Sequence, residues 1–232
     1  AWTRIDAVSA AIVLTTISEV DGNMWVWRLD SASGQVQYDD SLQNTDGDTD
    51  VPHVRLPGPI VTQLDSDPAP EMVIVIPTDI DQSGTSDGAE FIGMNVIDAS
   101  EIFSFEATNG YADAPPVLID SDENGITDRI CWNTWYRDGT SWHGVVGCHD
   151  YLESTQSIQH DWTQYIEGAA TLNDEIAVAA PTAMDIDGAG KPEVIVTYGR
   201  NLFAHDGDTG SRASINAEWV QGLELPHRTW AS

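Results

Sequence analysis

The stretch that decides the fold runs Pro116-Val-Leu-Ile-Asp120-Ser-Asp122-Glu-Asn124-Gly125-Ile126-Thr-Asp128-Arg-Ile-Cys-Trp132. It consists of a short apolar run, an acidic loop and a second apolar run. The loop offers side-chain oxygens at positions 1, 3, 5 and 9, a backbone carbonyl at position 7 and a glycine at position 6, which are Asp120, Asp122, Asn124, Asp128, Ile126 and Gly125. Oxygen ligands in this spacing suit calcium. The alternative is an acidic surface turn that binds nothing.

The same arrangement recurs along the chain. Loops that begin at Asp65, Asp120 and Asp185 are 55 and 65 residues apart, and an eroded copy begins near Asp6. Each loop is followed by a run of β-branched residues, which is typical of a β-strand. No segment has apolar residues repeated at the spacing of an amphipathic helix. Three or four short strands in each unit predict an all-β protein, a β-propeller built from about four blade repeats of 55-65 residues.

The repeats run over 1-57, 58-113, 114-179 and 180-232 and form a single propeller region, 1-232. They either close a ring of four blades or belong to a larger propeller with further blades outside this segment. We favour the larger propeller because rings of six to eight blades relieve the packing strain at the axis.

Two further loops are candidates for calcium. The first has ligands at the same spacing, with a weaker serine at position 5: Asp79, Asp81, Ser83, Thr85 and Asp87. The second has alanine at position 5 and relies on Asp185, Asp187, the position-7 residue Lys191 and Glu193. Counted from Asp65, the loop that ends at Glu71 is two residues shorter and contains two prolines, so we interpret it as a degenerate structural turn. The cluster Asp46 to Asp50 fits a solvated acidic loop better than an ion site.

These loops carry a resemblance to a known family. Those at Asp120 and Asp185, each followed by an apolar strand, resemble the FG-GAP or VCBS repeats of calcium-binding β-propellers, such as those of integrin α subunits. The turns Leu29 to Gly34 and His205 to Gly210 resemble the outer hairpins of quinoprotein-type blades. The resemblance implies an extracellular or cell-surface propeller in which calcium braces the blades. Removal of calcium is then expected to destabilise the fold, because empty carboxylate loops repel one another.

The two cysteines point to the same compartment. If Asp138 to Ser141 form a hairpin loop, residue 137 faces 142 and, in register, Cys131 faces Cys148. Directly opposed cysteines can form a cross-strand disulfide, which requires an oxidising compartment. Two buried free thiols are the alternative.

Charge excludes several partners. The chain has 38 Asp and Glu against 9 Lys and Arg, a net charge of -29, and Lys191 is its single lysine. Nucleic acid and anionic membranes are bound mainly through basic side chains and are therefore poor partners. No apolar run is long enough for a membrane helix, so no membrane insertion is expected in this segment. The acidity itself has three interpretations, which are metal loops, a surface adapted to high salt, and simple solubility.

Catalytic residues cannot be nominated. The G-x-S-x-G match around Ser86 lies inside a metal-type loop, and no histidine pair has zinc-site spacing. Tryptophans such as Trp25, Trp27 and Trp132 fit packing between blades better than ligand stacking. We therefore expect a non-catalytic, extracellular, calcium-stabilised β-propeller module for adhesion, ligand binding or surface assembly, with a protein or carbohydrate ligand. The alternative is a propeller domain of a secreted carbohydrate-active enzyme, a polysaccharide lyase or hydrolase.

Overall fold

The protein is built from small antiparallel β-sheets of consecutive strands. The computed structural model describes residues 2–4, 10–17, 24–30, 32–42, 57–78, 88–108, 110, 112, 114–138, 141–171, 179–198 and 201–211. Within these residues there are four sheets, and the helical content is one turn of 3₁₀ helix, Glu153–Thr155. The predicted all-β class is confirmed.

The four sheets follow one another along the chain. Sheet I contains β1 (Trp2–Arg4), β2 (Ala10–Ile17), β3 (Met24–Asp30) and β4 (Val36–Leu42). Sheet II contains β5 (Ile60–Thr62), β6 (Glu71–Thr78), β7 (Gly88–Asn95) and β8 (Glu101–Thr108). Sheet III contains β9 (Val117–Ile119), β10 (Arg129–Asp138), β11 (Ser141–Leu152) and β12 (Ser157–Thr171). Sheet IV contains β13 (Thr182–Met184), β14 (Glu193–Tyr198) and β15 (Asn201–Asp206).

Each sheet packs its apolar face on the next sheet along the chain. Val13 and Val26 of sheet I share a buried cluster with Met72 and Ile74 of sheet II, and every one of the four is at most 2% exposed. The other two junctions are formed in the same way. Phe91 of sheet II packs with Trp132 and Val145 of sheet III, and Val146 of sheet III packs with Val194 and Val196 of sheet IV. Antiparallel meanders stacked face to face in chain order are the blades of a β-propeller.

Tight turns of one type connect the third and fourth strands of sheet I and follow β15 of sheet IV. Asp30 Oδ1 accepts hydrogen bonds from the Ala32 and Ser33 amides, and Asp206 Oδ1 accepts those of Asp208 and Thr209. Each turn is closed by the amide of a glycine with positive φ, Gly34 at 69° and Gly210 at 65°. Aspartate and glycine are the residues that such turns require, which explains why the two sequences match so closely.

The disulfide predicted from hairpin counting is confirmed. Cys131 pairs with Cys148 across β10 and β11, with Arg137 opposite Trp142 as expected, and the two sulfurs are bonded. The Cα atoms are 4.1 Å apart and both residues are fully buried. The bond therefore lies inside the cluster that joins sheets III and IV. No helix in the described part of the chain is long and apolar enough to span a membrane.

Candidate metal loops

Three acidic loops occupy equivalent places, between the first and second strands of sheets II, III and IV. In each loop the carboxylate of the last residue accepts a hydrogen bond from the backbone amide seven residues earlier. The pairs are Glu71 with Leu64 at 2.7 Å, Asp128 with Ser121 at 3.0 Å and Glu193 with Ile186 at 2.7 Å. This shared bond closes the base of the loop and defines equivalent positions in the three copies.

The shared bond changes the register of the first loop. Counted back from Glu71, position 1 is Gln63 rather than Asp65, and the loop spans 63–71, the same length as 120–128 and 185–193. The interpretation of a loop that is two residues shorter is therefore wrong. Asp65 occupies position 3, and its Oδ1 accepts a hydrogen bond from the Asp67 amide at 2.9 Å. Asp187 is the equivalent residue of the loop in sheet IV, and it accepts a hydrogen bond from the Ala189 amide at 2.8 Å.

Gln63 organises the inside of its loop. Its Nε2 donates to the carbonyl oxygens of Asp65 at 2.9 Å, of Ala69 at 3.3 Å and also of Asp67. Pro68 stands at position 6, where the other two loops have a glycine amide that binds the position-1 aspartate. In the first loop the glutamine side chain therefore bonds the loop carbonyls, and the glycine–aspartate bond of the other two loops has no counterpart.

Glu71 is the residue that most requires a further partner. Its side chain is fully buried, and among the described residues its Oε1 has no hydrogen-bond partner. Carboxylate oxygens of Asp65, Asp67 and Glu71 all lie within 4.8 Å of one another. Burial, and then the charges of the two aspartates, raise the pKa of Glu71 to about 7. A buried, unpaired carboxylate beside two others is compensated by a cation or by a proton, so this donor set fits a hard divalent ion.

The loop of sheet IV brings together three of its predicted ligands. Oxygens of Asp185, Asp187 and Glu193 lie within 4.8 Å of one another, and Glu193 is 3% exposed. The amides of Gly188 and Gly190 donate to the Asp185 carboxylate at 2.8 and 2.9 Å. The Lys191 ammonium binds Asp208 outside the loop, so the predicted contribution of Lys191 is its carbonyl. This loop also fits a hard cation.

The loop that best matches the calcium pattern is held by internal hydrogen bonds. Asp120 accepts the Asn124 and Gly125 amides at 3.1 and 2.7 Å, and Asn124 Oδ1 accepts the Ile126 amide at 2.7 Å. The Asp122 carboxylate accepts hydrogen bonds from the backbone and side-chain N–H groups of Asn124. The Asp128 carboxylate accepts hydrogen bonds from the backbone amide and the hydroxyl of Ser121. In the described chain the convergent carboxylate triads belong to the other two loops. The ligand role of the Asp120 loop stays a prediction.

Two acidic clusters fall outside the described residues. They are the predicted site of Asp79, Asp81, Ser83, Thr85 and Asp87, and the segment Asp46 to Asp50.

The loops of neighbouring sheets are joined. The Thr127 amide donates to the Gln63 carbonyl at 2.7 Å, and the hydroxyls of Thr62 and Thr127 are 2.6 Å apart. Arg129, directly after the second loop, donates to the Gly207 carbonyl and to Asp208 of sheet IV, at 2.7 and 2.8 Å. An ion held by one loop would therefore also fix a contact between blades.

The sequence contained a signal for the triad that was missed. Pro70-Glu71 and Pro192-Glu193 both precede a β-branched strand. If the two loops are aligned on this dipeptide, Gln63 is equivalent to Asp185. An alignment on the Asp-x-Asp pattern instead makes Asp65 equivalent to Asp185. The strand, rather than the first acidic letter, sets the register of the loop.

The tryptophan side chains that the structure describes are buried or half-buried. Trp132 and Trp162 are buried at 3% and 7% exposure, and Trp25 and Trp27 are half-buried with ring centroids 5.7 Å apart. The side chain of Trp142 is outside the described residues.

Comparisons with known proteins add little to this geometry. No protein-family model and no curated protein matches the chain. A search of solved structures found the β-propeller domain of Nup133 from Vanderwaltozyma polyspora, with 9% sequence identity and a TM-score of 0.40. The match covers 87% of this chain, which spans 59% of that structure. The description of the fold therefore depends on the sheets themselves.

Proposed function

We propose that the chain is a non-catalytic, calcium-stabilised β-propeller module that acts outside the cell in adhesion, ligand binding or surface assembly. The observation that carries the proposal is the buried Glu71 carboxylate, whose Oε1 has no hydrogen-bond partner in the described chain and which lies with Asp65 and Asp67. Calcium would neutralise this triad and the triad of Asp185, Asp187 and Glu193.

The setting outside the cell is supported by two features. The Cys131–Cys148 disulfide is typical of oxidising compartments. Extracellular modules bind calcium in the range of about 10⁻⁴ to 10⁻³ M, and loops that lack part of the ligand set, such as the one with Ala189 at position 5, suit that range.

The test is a thermal unfolding series on the whole chain in calcium, in EDTA, and in EDTA with high sodium chloride. Calcium is expected to raise the melting temperature because it binds the folded state and not the unfolded chain. Stability that is set by sodium chloride alone, with no effect of EDTA, would reject the calcium role and favour a salt-adapted surface.

A variant locates the effect in the first loop. Glu71→Gln removes the buried charge and keeps an acceptor for the Leu64 amide. We expect the variant to be at least as stable as the parent in EDTA and to gain less stability from calcium. Glu101→Gln, an exposed acid of the same sheet, is the matched control and should leave both values unchanged. An unaltered calcium increment in Glu71→Gln would show that this loop is not a site.

A further inference from the structure

A cleft outside the metal loops lies between the outer strands of sheets II and III. Its volume is about 260 Å³, and its lining includes Glu106 of β8, Trp132 of β10, His149 of β11, and His160, Thr163 and Tyr165 of β12. Pockets for drug-sized ligands measure about 300 to 1,000 Å³. The cleft is therefore suited to one ring of a ligand, with the remainder in solvent.

A β-bulge assembles one wall of the cleft. Cys148 is paired with Trp162, and the next residue, His149, is paired with His160, so Asp161 is an extra residue in β12. Side chains alternate along a strand, and His160 would face away from the cleft if the pairing were regular. The bulge brings it to the same side as Thr163, and its Nε2 lies 2.9 Å from the Thr163 hydroxyl. Bulges often re-aim side chains at binding sites.

His149 presents a fixed donor. The indole Nε1 of Trp132 donates to His149 Nδ1 at 3.1 Å, so the hydrogen of the neutral imidazole is on Nε2. Burial, and then His160, lower the pKa of His149 to about 4, and the ring is neutral at physiological pH. If Nε2 bound a metal ion, the hydrogen of the neutral ring would have to move to Nδ1. Two N–H donors, those of Nδ1 and of the Trp132 indole, would then face each other. The histidine pair is for this reason unsuited to a metal ion.

Aromatic rings supply flat surfaces. Tyr165 is 55% exposed, while Trp132 is 3% exposed and lies over Gly147 on the neighbouring strand. A Cβ at Gly147 would lie 2.7 Å from the indole ring. The glycine thus allows the indole to occupy this position, and Tyr165 offers its ring to a ligand.

Charge narrows the ligand class. Among the residues that the structure describes, one carboxylate, Glu106, lines the cleft, and no lysine or arginine does. Phosphates and sugar acids would therefore meet a negative charge without a compensating cation. A quaternary ammonium ion would leave the N–H donor of His149 without an acceptor. A neutral sugar has hydroxyls that both accept and donate, and a C–H face that stacks on an aromatic ring.

We propose that this cleft binds a neutral hexose-type sugar residue, which stacks on Tyr165 and forms hydrogen bonds with His149 and Glu106. The inference rests on the proposed function in that it names the ligand class of the binding module. It is independent of the metal loops.

The test is saturation-transfer NMR on the whole chain in calcium, with methyl glycosides of glucose, galactose, mannose, fucose and N-acetylglucosamine. Choline, glucuronate and inorganic phosphate are the comparison ligands. The variants are Tyr165→Ala, Tyr165→Phe and Glu106→Gln, and Leu152→Ala, an exposed residue of β11 at 41%, is the control. Thermal melts of each variant establish that it is folded.

At least one neutral glycoside should bind to the parent. Its affinity should be about tenfold lower in Tyr165→Ala and also lower in Glu106→Gln. The affinity should be unchanged in Tyr165→Phe and in Leu152→Ala. Binding of none of the glycosides, preferential binding of a comparison ligand, or affinity that is unchanged in Tyr165→Ala would overturn the proposal. A melt that is insensitive to EDTA, together with glycoside binding, would reject the calcium role and retain the cleft.

Discussion

Arg129 Nη1 lies 2.8 Å from Asp208 Oδ1 and joins sheet III to sheet IV. The same guanidinium contacts Asp150 at 2.9 Å and Asp161 at 3.4 Å, and its side chain is 14% exposed. Its charge therefore lies in a largely desolvated junction with three carboxylates that would repel one another without it.

We expect Arg129→Met, which keeps the aliphatic volume, to lower the free energy of unfolding by about 2–3 kcal/mol, since it leaves carboxylates without their cation. Urea denaturation measures the loss. Lys191→Ala is the control, because that side chain also binds Asp208 but is 66% exposed, and its loss should cost less than about 1 kcal/mol. Equal losses in the two variants would contradict a special role of the arginine.

Gly144 marks a second contact between these sheets. A Cβ at this position would lie 2.4 Å from the ring of Tyr198, whose hydroxyl donates to the Val145 carbonyl at 2.6 Å. Gly144→Ala should destabilise the protein by about 1–3 kcal/mol, because a buried tyrosine must shift. Gly58→Ala is the matched control, since a Cβ there meets nothing within 4 Å. Thermal and urea unfolding of the two variants decide the prediction, which fails if they are equally stable.

The disulfide should contribute measurably to stability. It closes a segment of 17 residues, for which the loss of unfolded-state entropy corresponds to about 3 kcal/mol. We expect the double variant Cys131→Val, Cys148→Val, which keeps the buried apolar volume, to lose about 2–3 kcal/mol in urea denaturation. Addition of a reductant should lower the stability of the parent and leave the double variant unchanged, and a reductant effect on both would point to another cause.

Stability should depend on pH through His149. Its pKa falls from 6.5 to about 4 on folding, so the unfolded chain binds more protons in this window and stability declines as pH is lowered from 6.5 towards 4. Between pH 6.5 and 5 the decline is about 1.5 kcal/mol. His149→Gln keeps an acceptor for Trp132 and cannot titrate.

The difference between the pH profiles of parent and His149→Gln isolates this residue from the carboxylates. We expect the parent to lose stability relative to the variant as pH falls. Parallel profiles would show that His149 is not buried as described.

Much of the fold could be predicted because its determinants are local. The Cys131–Cys148 pairing follows from counting outward along one hairpin, and the turns at Asp30 and Asp206 follow from aspartate and glycine at fixed spacing. Each of these features needs only neighbouring residues in the chain, which a single sequence displays.

The candidate sites were less predictable because they depend on register and packing. Gln63 shares position 1 with aspartates that it does not resemble, so matching acidic residues misses it, and the Glu71–Leu64 hydrogen bond establishes the equivalence. The cleft requires β8 to approach β12 and one extra residue at Asp161. The register of the loop is encoded by its distance from the Pro70-Glu71 dipeptide, whereas no spacing of residue types along the chain encodes the cleft.

The order of the sheets also has a consequence for the time course of folding. Every described strand pairs with strands that adjoin it in the sequence, so a chain that emerges with its N-terminus first meets its pairing partners in the order of synthesis. Loop closure within a sheet involves short segments, which favours rapid formation. Both cysteines of this sequence lie in one hairpin, so the disulfide between them can close as soon as that hairpin has formed and needs no later sheet.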